Sequence, residues 1–166
     1  MACEIRLHDT RTGRKLPLEP RDPGRVGIYS CGPTVYNRIH IGNARPYVVP
    51  SLLKRFLEHE GYDVTLVINI TDVNDKIYDA AGPLDVPSAD LAAEMAAHYK
   101  ADTDALGLGR PDAEPLASET IEPIVAAAFG SWSGRPSPSP SVSAMYAAVI
   151  SRASSSLPIP RSSAAA

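Results

Sequence analysis

Three short stretches of this chain carry residue types that could do chemistry. They are Cys31-Gly32-Pro33-Thr34, His40-Ile41-Gly42-Asn43 and Asn69-Ile70-Thr71-Asp72-Val73-Asn74-Asp75-Lys76. A cysteine such as Cys31 is compatible with inert packing, with a nucleophile or with a metal ligand. It has no Cys-x-x-Cys partner, His40 is its nearest co-ligand in sequence, and one cysteine with one histidine is not a zinc site. His40 to Asn43 fall where a loop should become a helix, and a helix N-terminus offers unpaired N–H groups and a positive dipole end to a phosphate. His40 and Asn43, three apart, would share one face, and Gly42 would let a ligand approach the backbone. For a lone His-x-Gly, an ordinary capping histidine is the commoner account of His40. Thr71 and Asp72 follow an apolar run; an acid there can hold an ammonium group, cap a helix or turn a loop. No Gly-x-Gly-x-x-Gly or Walker-type loop occurs, so a nucleotide site here must be of another kind.

What must position these side chains is a strand–helix–strand unit. Glu4–His8 and Arg25–Ser30 read as short strands around a Pro/Gly-rich turn region, and the second runs directly into Cys31. A helix is expected from near Gly42 to Glu60. Its apolar positions Val48, Val49, Leu52, Leu53, Phe56 and Leu57 form a core-facing stripe, and Gly61 closes it. Pro46 suits a first turn, whereas Pro50 removes a hydrogen bond and should kink the helix. Val64 to Thr71 is a β-branched run apolar on both faces, as a buried parallel strand requires. Asp72–Ala80 reads as a short helix stopped by Gly82-Pro83. Ser88 should cap an alanine-rich helix, Ala89 to Leu106, and Ser118–Ala128 reads as a last helical segment. The fold class is α/β: an incomplete Rossmann-type half-domain with parallel strands, too small a sheet to stand as a doubly wound domain.

Composition divides the chain. Of its 166 residues, 44% are apolar and 21% charged, with a net charge of −3. That balance excludes a protein held to nucleic acid by bulk basicity, though not one with a local basic surface. All 19 acids lie within residues 1–129, whereas residues 130–166 hold twelve serines, five prolines and no acid. Such a tail cannot sustain a helix ladder or a packed strand pair. Two units are expected: 1–128, folded, and 129–166, disordered. The abrupt change inside a helical pattern reads as a shift of reading frame, with a natural disordered extension as the alternative. Two cysteines, Cys3 and Cys31, imply no disulfide framework. No stretch approaches the roughly 18 apolar residues of a membrane span, and the start lacks a signal peptide's apolar core. A cytoplasmic protein that does not engage membranes is expected.

Taken together, the run Cys31-Gly-Pro-Thr-Val-Tyr-Asn-Arg-Ile-His-Ile-Gly-Asn-Ala-Arg45, with Asn69-Ile-Thr-Asp-Val-Asn-Asp-Lys76 following, resembles the cysteinyl-tRNA synthetases, class I enzymes with a Rossmann-type catalytic domain. The likeness covers residues 1 to about 125 and includes the turn Gly109-Arg110-Pro111-Asp112. It implies activation of cysteine with ATP and Mg²⁺ to cysteinyl-adenylate, then transfer to tRNA-Cys by a monomeric enzyme. The resemblance implies that Cys31 is one of four ligands to a zinc ion that selects the substrate thiolate over serine's hydroxyl. His40 and Asn43 match the family's first ATP motif, whose usual form is His-Ile-Gly-His, and carry the catalytic role with Gly42 and Thr34 binding ATP. Gly32, Thr71 and Asp72 match residues beside the bound cysteine. Asn43 departs from the pattern; an amide can donate to a phosphate oxygen but cannot carry charge. The family's other zinc ligands, its Lys-Met-Ser-Lys-Ser loop and its tRNA-binding helical domains have no counterpart in this sequence. Weak or absent zinc binding and no adenylate synthesis by this chain alone are therefore expected. A related family that joins cysteine to an amino sugar, and a non-catalytic truncated paralogue, are the alternatives.

Overall fold

A computed structural model describes residues 4–121. The expected boundary at 128/129, the Ser/Pro-rich tail and most of the last helical segment lie outside the described residues. Element order is β1 (Arg6–Asp9), β2 (Arg14–Pro17), β3 (Arg25–Ser30), α1 (Ile41–His59), β4 (Asp63–Ile68), α2 (Asp75–Ala81), a 3₁₀ turn (Gly82–Leu84) and α3 (Ser88–Asp104).

The strand–helix–strand unit forms as expected, with β3 and β4 parallel and in register from Arg25↔Asp63 to Ser30↔Ile68. Leu66, Val67 and Ile68 are consecutive and all buried, so β4 is covered on both faces. Its second edge is taken by the segment 112–117, extended up to Leu116. There the amides of Ile68 and Ile70 donate to the carbonyls of Ala113 (3.1 Å) and Pro115 (2.9 Å), and Ala117 donates back to Ile70 at 2.9 Å. Asp112 fastens that segment: its carboxylate accepts from the Leu66 amide at 2.7 Å and from Lys54 of α1. Around β4 the core gathers Val35, Tyr47, Ile77, Ala92, Ala96 and Tyr99. The Tyr47 and Tyr99 rings meet edge to face, centroids 6.3 Å apart.

α1 begins and ends within one residue of its expected limits, closed at Gly61, whose φ of +93° suits glycine. One expectation about it fails. The apolar stripe does not face the core as a whole: Ala44, Tyr47, Ser51 and Leu57 pack inward, while Val49, Leu52 and Phe56 are exposed. The sheet takes the face that carries Ala44, Tyr47 and Ser51, three and four apart. Pro50 lies within the helix. The bond that Pro50 cannot make leaves the Pro46 carbonyl open, and Ser30 at the end of β3 fills it, its hydroxyl donating at 3.0 Å.

Three smaller expectations are also corrected. The strand expected at Glu4–His8 lies at Arg6–Asp9 and is half of an antiparallel hairpin with β2, a strand that was not expected. The hairpin's turn is organised by Asp9, whose carboxylate accepts from the Thr12 hydroxyl at 2.7 Å and from the Arg11 amide at 3.2 Å. Those bonds hold the Asp9 carboxyl below the ordinary carboxylate value. The helix expected from Asp72 starts at Asp75, because the extended Asn74 caps it by accepting from the Lys76 amide. Ser88 does not cap α3; it is the first helical residue, and the Pro87 carbonyl before it accepts from the amides of Asp90 and Leu91, each at 3.1 Å.

Candidate functional site

Parallel pairing carries the ends of β3 and β4 to the same side of the sheet, where α/β folds place ligands. The pairing continues past both strands. Val35 donates to the Thr71 carbonyl at 3.1 Å and Thr71 to the Pro33 carbonyl at 3.0 Å, so Thr34 and Thr71 lie side by side. Cys31, exposed and free, heads this loop, its thiol 3.6 Å from the Gly32 carbonyl oxygen.

Asn69 organises this end, although residue chemistry alone gave it no role. Its side-chain oxygen accepts from the Tyr29 hydroxyl at 2.8 Å and from the Gly32 amide at 3.1 Å. Its NH₂ group donates to the Thr71 hydroxyl at 3.2 Å. The main chains approach so closely here that a β-carbon on Gly32 would overlap the Asn69 carbonyl oxygen. Glycine at 32 is thus demanded by packing, whatever it contributes to a ligand.

The loop from Cys31 leads to His40, the N-cap of α1. The His40 Nδ1 accepts from the Gly42 amide at 3.0 Å, and the Asn43 side-chain oxygen accepts from the His40 amide at 3.2 Å. This is a reciprocal capping box built from a histidine and an asparagine. It fixes both side chains: a neutral His40 that accepts at Nδ1 carries its proton on Nε2, and Asn43 keeps its NH₂ group free of the cap. A β-carbon on Gly42 would stand 2.7 Å from the His40 ring, so glycine keeps the cap closed. Two contacts pin the intervening loop from outside. Arg38 pairs with Asp102 of α3 at 2.8 Å, and the Lys76 ammonium lies 5.6 Å from the centre of the Tyr36 ring.

Asp72 is occupied. Its carboxylate accepts from both the amide (2.9 Å) and the hydroxyl of Ser118, capping the helical residues 117–121 across the sheet end. A cleft of about 190 Å³ opens beside it, with Ala92, Ala96 and Leu116 among its walls. A larger hollow of about 490 Å³, walled by Leu18, Arg25, Asp63 and Thr65, lies at the opposite end of the sheet, away from every candidate residue. Size does not mark the site here; the sheet end does.

The expected residues fall into two groups joined by one pinned loop: Cys31, Gly32, Thr34, Thr71 and Asp72 at the sheet end, and His40, Gly42 and Asn43 at the helix start. Among the described residues no three His, Cys, Asp or Glu side chains converge on one point. Cys31 supplies one donor of the four that a zinc ion takes, so the described residues by themselves do not hold one. Among the described residues, too, no helix is long and apolar enough to cross a membrane.

Sequence comparison meets the same residues. The family model of the tRNA synthetases class I (C) catalytic domain matches residues 17–128. The cysteine–tRNA ligase of Shouchella clausii is 47% identical over 122 residues, 74% of this chain and 26% of the relative. That of Brevibacillus brevis is 46% identical over 121 residues, and that of Clostridioides difficile 41% over 121, each covering 73% of this chain and 26% of the relative. The chain thus spans about a quarter of the length of the relatives it matches. A match that begins ahead of β3 and runs beyond Asp72 takes in both groups of residues, and the chain belongs to the class I (C) tRNA synthetase catalytic-domain family.

Proposed function

We propose that this chain forms the ATP- and cysteine-facing part of a cytoplasmic, monomeric cysteinyl-tRNA synthetase, which joins cysteine to ATP and passes it to tRNA-Cys. The observation that carries this reading is the capped start of α1 beside the paired ends of β3 and β4. In the reaction a cysteine carboxylate oxygen bonds to the α-phosphorus of Mg²⁺–ATP, and pyrophosphate leaves. The amides at the start of α1 and its dipole favour the triphosphate. His40 presents an Nε2–H to a phosphate oxygen because Nδ1 is held by Gly42, and Asn43 presents its NH₂ group. Neither needs to change protonation state, which suits groups that stabilise charge rather than move protons. Thr34 lines the same loop as a further ATP contact. Gly32, Thr71 and Asp72 would adjoin the amino acid, with the Asp72 carboxylate suited to its ammonium group. Cys31 is assigned as one soft donor to the family's zinc, which when bound would select a thiolate.

Titration of the chain with Mg²⁺–ATP, followed calorimetrically, tests the assignment. His40→Ser keeps a capping oxygen but removes the outward ring donor. Saturable binding is expected, weakened about tenfold in His40→Ser, as loss of one charge-assisted hydrogen bond would give. His59→Ala, at the far end of α1, should bind as the unsubstituted chain does. Equal affinity in His40→Ser, or no saturable binding at all, would remove the reading.

A further inference from the structure

At the sheet end Asp72 is engaged by Ser118 and the Thr71 main chain by Pro33 and Val35, but the Cys31 and Thr34 side chains are held less firmly. Cys31 is exposed, and its thiol has only the neighbouring Gly32 carbonyl at 3.6 Å. Thr34 and Thr71 are half-buried on two different chain segments. One side chain spans both segments. Asn69 receives Tyr29 and Gly32 on its oxygen and gives its NH₂ group to Thr71. Its orientation has a single solution: the Gly32 amide can only donate, so the amide oxygen must face it and the nitrogen must face Thr71. A reversed amide would set two donors against each other.

We propose that Asn69 is the positioning residue of this site, holding the Cys31–Gly32 turn and the Thr71 hydroxyl in one register so that both are presented to the same ligand. The proposal deepens the functional reading above and rests on it for the ligand's identity. Position 69 interrupts an otherwise apolar run, Leu66-Val67-Ile68 before it and Ile70 after it. A polar side chain in such a strand weakens it unless its hydrogen-bonding groups are all employed. Here its oxygen accepts twice and its NH₂ group donates once, just past the ends of β3 and β4, where Asn69 holds the Gly32 amide beside a Thr71 whose main chain pairs with Pro33 and Val35. Aspartate would keep the acceptor for Gly32 and Tyr29 but lose the donor to Thr71. Alanine would lose both.

The test uses the full chain carrying Cys3→Ser, so that Cys31 is its sole thiol. Two readouts are taken: hydrogen exchange of the Gly32 amide by NMR, and the alkylation rate of Cys31 by iodoacetamide. In Asn69→Ala the Gly32 amide should exchange about tenfold faster relative to the core amides of β4, and the Cys31 rate should change at least about threefold. Asn69→Asp should restore Gly32 to within about threefold of the parent. A uniform rise in exchange over β4 and Gly32 alike would mean that Asn69 only stabilises the fold, and would overturn the proposal. So would an aspartate variant that exchanges Gly32 as fast as alanine. Should Asn69→Ala not fold, Thr71→Val removes the NH₂ group's acceptor alone; a Gly32 amide there indistinguishable from the parent would count against the proposal, and one about threefold faster would support it. None of these readouts involves ATP or cysteine. Failure of the unsubstituted chain to bind Mg²⁺–ATP would therefore sink the functional reading while leaving the result for Asn69 standing.

Discussion

β3 and β4 are parallel, adjacent and six residues long, yet they are not equivalent. β4 has a neighbour on each edge, β3 on one and the segment 112–117 on the other, and after Asp63 its side chains are buried or nearly so. β3 alternates between exposed and half-buried positions up to Ile28, stays half-buried to Ser30 and leads into the exposed Cys31. The difference separates two duties. The strand sealed on both faces carries the stability, and the more open one leads into the Cys31 loop that meets Thr71 beyond the end of its neighbour.

The contrast is broken most directly by cutting equivalent side chains. Ile68 is fully buried in β4, and Ile68→Ala should cost about 2–5 kcal/mol in urea denaturation. Ile28 of β3 packs against the same core but is only partly buried, and Ile28→Ala should cost well under half as much. Equal costs would dissolve the distinction. A finer test lies where β3 meets α1. Ser30→Ala should cost about 1 kcal/mol by leaving the Pro46 carbonyl without a donor. In a Pro50→Ala background, where the backbone supplies its own N–H, the same change should cost almost nothing, giving a double-mutant cycle with clear coupling. The smallest expected effect is in alkali. Burial, with the Glu114 charge adding to it, raises the Tyr99 phenol well above its ordinary value. The folded form then holds a proton that the unfolded chain releases near pH 10, so stability should fall as pH rises above about 10. Tyr99→Phe should flatten that limb of the stability curve.

Much of this plan was legible before any coordinates. β3 was bounded to the residue because the apolar-rich Val26 to Ser30 stops at Cys31-Gly32-Pro33, where a proline removes a donor. The parallel pairing followed from a strand apolar on both faces and a helix-length crossover. The stripe on α1 was misread because both sides of that helix carry apolar residues: periodicity counted Val49, Leu52 and Phe56 but could not tell which face the sheet would take. The hairpin was missed because its turn is made by the Asp9 side chain rather than by a strong two-residue turn pair. At the site, residue types pointed to His40, Asn43 and Thr71, yet Asn69 went unassigned. Its signal was present, a lone amide inside an apolar run, but the partners that give it meaning lie 37 and 40 residues away.

The serine hydroxyl on the Pro46 carbonyl bears on the order in which this chain assembles. With prolines at 46 and 50, α1 lacks two of its own ladder bonds and is a poor candidate to persist as an isolated helix. One of the missing donors comes from the end of β3, so the helix is completed only when that strand is in place. Helix and sheet should therefore consolidate together in a single event rather than the helix forming first and docking later. The same hydroxyl that repairs the helix thus ties the timing of its formation to the strand that ends in Cys31.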